Sequence, residues 1–130
     1  MSSEKKLFLL DAYALIFRSY YAFLKNPRIT SYGLNTNAIF GFTTTLLEVL
    51  EKHDPTHIAV CFDHKSENIR KQEYPLYKAN RDETPEDIKR SEPFIRQIID
   101  AFNIPLIEKP GYEADDVIVT LATRAEKEGF

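Results

Sequence analysis

Three short, almost uninterrupted apolar runs, at residues 7–10, 57–62 and 104–107, stand out along the chain, and longer stretches with helical spacing lie between them. Short runs without polar alternation suit strands buried on both faces of a parallel sheet. After the first run, residues 12–24 read as a helix carrying Leu15, Ile16, Phe17, Tyr20 and Tyr21, stopped by Asn26-Pro27. Residues 27–35, with Pro27, Ser31, Gly33 and Asn35, read as a mobile loop. Thr36 or Asn37 is placed to cap a second helix, where Ile39, Phe42, Leu46, Val49 and Leu50 recur through Glu51. Asp54-Pro55 marks a turn before the second apolar run.

Thr84-Pro85-Glu86-Asp87 predicts a third helix, with Thr84 as N-cap and Pro85 in the first helical position. Ile88, Ile95, Ile98, Ile99 and Phe102 continue it to Asn103, and Pro93 predicts a kink or a restart, with Ser91 as a second cap. A fourth helix begins near Ala114, carries Val117, Leu121 and Ala125, and closes at Gly129, after which Phe130 is expected to open a fourth strand. The order β-α-β-α-β-α predicts an α/β fold: three layers, a mostly parallel sheet with helices on both faces and right-handed crossovers. Three strands make a small sheet for that architecture, so residues 1–130 are expected to be the N-terminal part of a longer protein.

Composition narrows the class. A chain of 130 residues is one domain's worth, and 43% apolar with 28% charged residues is ordinary for a globular protein. Lys5 and Lys6 ahead of Leu7 imitate a signal peptide, but Asp11 and Arg18 interrupt the apolar run before it could serve as one or span a membrane. No membrane partner is expected. The single cysteine, Cys61, lies in an apolar run and offers no disulfide framework, which fits a reducing cytoplasm.

The net charge of −3 does not advertise a nucleic-acid binder, and its distribution matters more than its sum. In open parallel sheets, sites form outside the carboxyl ends of the strands. Asp11 ends the first apolar run and Asp63 the second, while Glu113, Asp115 and Asp116 follow the third. Each acid alone is good helix-capping or turn chemistry. Five converging on one edge repel one another, and hard oxygen donors of this kind select Mg²⁺ or Mn²⁺ over zinc. His53, His57 and His64 are scattered, with no zinc spacing. Directly after Asp63 comes a basic and aromatic stretch: Lys65, Arg70, Lys71, Tyr74, Tyr77, Lys78 and Arg81. Cations that pair with phosphate, interleaved with rings that stack on bases, are how single strands are held. Arg18 and Tyr21 are expected to face the same edge.

These residues resemble the 5′-nuclease (flap endonuclease) family. The resemblance rests on Asp11 with residues 17–22 (FRSYYA), residues 35–42 (NTNAIFGF), 60–63 (VCFD), 74–81 (YPLYKANR) and 111–116 (GYEADD), in that order. It is strongest to the 5′→3′ exonuclease domain at the N-terminus of a bacterial DNA polymerase. The family implies a phosphodiesterase working with two or more Mg²⁺ or Mn²⁺ ions on DNA with a 5′ flap or an RNA primer end, in the bacterial cytoplasm at the nucleoid. By resemblance, Asp11, Asp63, Glu113, Asp115 and Asp116 hold the ions. Lys78 and Arg81 steer the strand and neutralise the scissile phosphate, and Arg70, Tyr74, Tyr77, Arg18 and Tyr21 join them as substrate contacts. Residues 64–83 correspond to the leading part of a helical arch that orders on DNA. Ile69 departs from the aromatic usual before Arg70. The family's next aspartate pair, on a fourth strand, and its DNA-gripping helical module are expected beyond residue 130, so the fragment alone is expected to cut weakly or not at all. Two rivals stay open: a PIN-like endoribonuclease and a nucleic-acid-binding module whose acids are only caps.

Overall fold

The computed structural model describes residues 4–64 and 84–130. Strands β1 (Leu7–Asp11), β2 (His57–Cys61) and β3 (Leu106–Ile107) form a parallel sheet in the order β1-β2-β3. Leu7 aligns with His57 and Asp11 with Cys61, while Val60 and Cys61 align with Leu106 and Ile107. This register brings the three strands' carboxyl ends to a single edge.

Side-chain alternation sorts the sheet into two faces. Val60 and Phe62, with Leu10 and Ile58 beside them, pack on α1 (Ala12–Ala22), α2 (Asn37–Glu48) and α3 (Glu86–Ala101). Ile16, Phe42, Leu46, Ile88, Ile95 and Ile99 are buried there, and full burial of each such side chain contributes about 1.5–3 kcal/mol. Ala59 and Cys61, also buried, point the other way, toward the side where α4 (Ala114–Lys127) packs on β1 and β2. The three layers match the sequence expectation.

Where α1 crosses α2, a Cβ on Gly41 would stand 2.4 Å from the Ser19 Cβ, so glycine is what lets the two backbones approach. Asn37, fully buried, fastens the preceding loop: its Oδ1 accepts from Arg28 N at 2.8 Å and its Nδ2 donates to the Tyr20 carbonyl at 3.2 Å. The loop expected to be mobile is therefore a laced hairpin. Thr30 N donates to Leu34 O, Ile29 bridges Asn35, and the Arg28 guanidinium stacks on Phe40 and Phe23 at 4.1 and 4.8 Å.

Several boundaries differ from expectation, each for a local reason. The α2 hydrogen-bond pattern widens after Glu48 into a π-helical turn (Val49–His53), ended by Asp54 at φ 43°. Thr84 does not cap α3; Pro85 does, in extended conformation, and its carbonyl accepts from Ile88 N and Lys89 N. Pro93 neither splits nor restarts α3, and Ser91 is no second cap. Its buried hydroxyl donates to the Asp87 carbonyl at 2.8 Å, inside one continuous helix. Pro105 has no N–H to donate, which shortens β3 to two residues, although its carbonyl still accepts from Val60 N. Phe130 lies just past the end of α4. Its N–H returns to the Ala125 carbonyl past Gly129 at φ 91°, a helix-terminating motif, and its ring meets His57 edge-on at 4.8 Å.

Candidate active site

The strand ends and the start of α4 are joined by the acids themselves. Asp11 closes β1 and caps α1, its Oδ1 accepting from Ala14 N at 3.2 Å. Asp63, two residues past β2, accepts the Ala114 N–H at 2.6 Å, tying the second strand's exit to the N-terminus of α4. Glu113, buried, is the N-cap of α4 and forms a capping box with Asp116, whose Oδ2 accepts the Glu113 N–H at 3.2 Å. Gly111, at φ 86°, makes the turn that swings Glu113 into place.

Asp115 lies on the exposed side of the first α4 turn, with its carboxyl within hydrogen-bonding reach of Asp11. Asp11 is accordingly hard to ionise. Burial raises its pKa most; the Ala14 N–H opposes that, and contact with Asp115 and the charges of Asp115 and Asp63 raise it further. Asp11 thus feels acids from two other segments of the chain. Cys61, beside Asp11 in register, is pushed up to about 11 by burial and by the Asp11 charge.

In donor chemistry and in placement at one edge, these oxygens fit a hard divalent ion. In detail, among the described residues no three His, Cys, Asp or Glu side chains are already grouped as an ion's ligands. The reason is visible: Asp63 and Asp116 each have an oxygen turned to a backbone N–H at the α4 N-terminus, and Asp11 one to α1. The capping residues are the candidate ligands themselves, and each carboxylate has a second oxygen, so capping does not exclude the second role.

Arg18 and Tyr21 are exposed on α1, about 10 and 15 Å of helical rise beyond Asp11. Tyr21 meets Tyr20 edge-on at 5.1 Å, and the Tyr20 hydroxyl donates to Asp87 Oδ2 at 3.1 Å in the first turn of α3. Arg70, Tyr74, Tyr77, Lys78 and Arg81, with the proposed arch, lie outside the described residues.

One cluster went unforeseen. Arg96 forks onto Glu108, with Nη1–Oε1 at 3.1 Å and Nη2–Oε2 at 3.2 Å, and its Nε donates to Glu92 Oε2 at 3.1 Å. The Tyr13 hydroxyl donates to Glu92 Oε1. Burial, then Glu92, raises the Tyr13 pKa strongly, and the Asp63 charge adds to it. Arg96 also lies over the Phe62 ring at 4.3 Å. The i, i+4 spacing of Glu92 and Arg96 was the available signal; nothing local announced Glu108 or Tyr13.

Comparison with known proteins places this geometry. A family model described as "5′-3′ exonuclease, N-terminal resolvase-like domain" matches residues 6–130. DNA polymerase I of Mycobacterium bovis is 44% identical over 128 residues, 98% of this chain, and that of Bacillus subtilis 41% over 132 residues. The chain spans 14% of the length of each. Among solved structures, the bacteriophage T5 5′-exonuclease with bound zinc superposes with a TM-score of 0.56 at 24% identity, covering 90% of this chain and 43% of that one. The catalytic core of Rad2 in complex with DNA substrate gives 0.50 at 21% identity, covering 85% and 33%. Both share the parallel sheet and its flanking helices. By family model and by its relatives alike, the chain belongs to the 5′–3′ exonuclease family, of which it is the N-terminal, resolvase-like domain.

Proposed function

We propose that this chain is the ion-holding part of a 5′→3′ exonuclease and flap endonuclease carried by a DNA polymerase I. In that reading Asp11, Asp63, Glu113, Asp115 and Asp116 hold Mg²⁺ or Mn²⁺, directly or through water. The supporting observation is the contact between Asp11 and Asp115 beside Asp63, three carboxylates from separate elements held close enough to repel. Named relatives point the same way: the solved complexes include a T5 flap endonuclease with DNA and metal ions. A pair of such ions supplies water activation and charge neutralisation to an in-line displacement at phosphorus.

The chain's own residues do the rest. Asp63 and the capping box fix the α4 N-terminus, and with it the carboxylates of Glu113, Asp115 and Asp116. Lys78 and Arg81, in a segment at 64–83 read as the leading part of an arch, pair with the single strand, and Arg70, Tyr74, Tyr77, Arg18 and Tyr21 extend that path. The substrate is DNA with a 5′ flap or RNA primer end, handled in the bacterial cytoplasm at the nucleoid. No helix among the described residues is long and apolar enough to cross a membrane. The 130-residue chain alone cuts weakly or not at all.

The deciding experiment compares cleavage of 5′-flap DNA and of single-stranded RNA by the full-length parent with Mg²⁺. Flap cleavage lost in Asp63→Ala is expected. A preference for RNA would move the protein to the PIN-like endoribonucleases, and full activity in Asp63→Ala would leave the acids as caps.

A further inference from the structure

Arg96 sits where the three carboxylate-bearing segments meet, yet belongs to none of them. Through Glu92 it holds Tyr13, two residues after Asp11. Over its own face it holds the ring of Phe62, the residue before Asp63. With its fork it holds Glu108, which leads into the turn where Tyr112 N donates to Lys109 O at 3.1 Å and Gly111 redirects the chain to Glu113. Phe62 and Tyr13 also meet edge-on at 5.6 Å, so the grip closes on itself.

We infer that Arg96 is a positioning residue for the ion site, fixing the spacing of the Asp11, Asp63 and Glu113 segments through its direct contacts with Phe62 and Glu108 and, by way of Glu92, with Tyr13. The inference rests on the ion-holding role proposed above. An ordinary salt bridge joining two elements is the commoner arrangement, and three features set this one apart. The Arg96 side chain is only 28% exposed, it uses both its planar face and its forked edge, and its contacts lead, directly to Phe62 and Glu108 and through Glu92 to Tyr13, onto three different acid-bearing segments. A lysine keeps the charge but can reproduce neither the fork nor the stacking plane.

The test is Mn²⁺ binding to the 130-residue chain, followed by calorimetry at a temperature where circular dichroism shows every variant folded. Arg96→Met and Arg96→Lys are each expected to weaken binding by about 10-fold or more, the range known for outer-sphere partners of metal ligands. Breaking the exposed Lys52–Glu48 pair, where α2 passes into the π-helical turn, with Lys52→Met is expected to leave binding unchanged. Where Arg96→Met does not fold, Glu108→Gln removes half of the fork at constant size, and a several-fold loss is expected. Wild-type affinity in Arg96→Lys, or in Glu108→Gln, overturns the inference. A fall in melting temperature with unaltered affinity also overturns it, because a purely structural bridge does that. A wild-type chain that binds no Mn²⁺ removes the ion site and this inference with it, so the wild-type curve separates the two failures.

Discussion

Two groups of carboxylates share the carboxyl edge of the sheet and are treated in opposite ways. Glu92 and Glu108 meet a guanidinium and a phenol at hydrogen-bonding distance, so most of their charge is answered locally. Asp11 and Asp115 meet each other, with Asp63 close by, and among the described residues the partners that answer Asp11 and Asp63 are backbone N–H groups. A satisfied cluster is what folding stability favours. A cluster left in repulsion costs stability and persists where a ligand of opposite charge relieves it. The difference separates scaffold from proposed site at one edge of one sheet.

The sharpest way to break this contrast is to neutralise the repelling pair. Asp11→Asn with Asp115→Asn keeps side-chain size and leaves an acceptor for Ala14 N. Mn²⁺ affinity is expected to fall by at least about 100-fold, or about 2.7 kcal/mol, while the circular dichroism spectrum is unchanged. An isotherm matching the wild type would mean the ion, if any, lies elsewhere.

The satisfied cluster should respond in the other currency, folding stability. Arg96→Met leaves two half-buried carboxylates facing each other, and a loss of about 2 kcal/mol is expected in urea unfolding, below the cost for a fully buried pair because water reaches the group. Tyr13→Phe removes one hydrogen bond to Glu92 and keeps the ring against Phe62. About 1 kcal/mol is expected there. If Tyr13→Phe were the costlier of the two, the hub would be the phenol rather than the guanidinium.

Most of the architecture was legible because it depends on patterns a few residues long. Apolar runs ending in Asp11 and near Asp63 gave the strands, and parallel pairing then forces their ends to one edge. What escaped depends on partners distant in sequence or on backbone detail. Pro93 carries a strong breaking signal, yet α3 continues because Ile88, Ile95 and Ile99 on both sides of it are buried in one core. The Gly41–Ser19 approach and the Glu108–Arg96 fork join elements whose contact no single stretch of sequence encodes. Among the site acids, position was readable, but rotamer was not: the N–H groups of α4 compete for the same oxygens an ion would use.

The smallest expected effect is also the one with an informative sign. Asp11 has a pKa above the usual carboxylate value of 3.8 in the folded chain, burial being the first cause. A raised folded-state pKa means that, as pH climbs past 3.8, the unfolded chain releases this proton first. The folded state therefore loses stability between that pH and the raised value, and the deficit stays constant above it. Asp11→Asn abolishes the deficit without removing the cap. Its urea midpoint should equal the wild type's at about pH 3, where the acid is neutral in both states, and exceed it at pH 7, by a margin that solvent screening of this half-buried group keeps small. Saturating Mn²⁺ should reverse the order at pH 7, since an ion bound to the folded wild type alone adds stability by mass action. A variant that is less stable than wild type at pH 7 without the ion would show that Asp11 is an ordinary cap whose charge the fold welcomes. A more stable variant that no longer responds to Mn²⁺ would identify the repulsion at this edge as the cost of holding a cation.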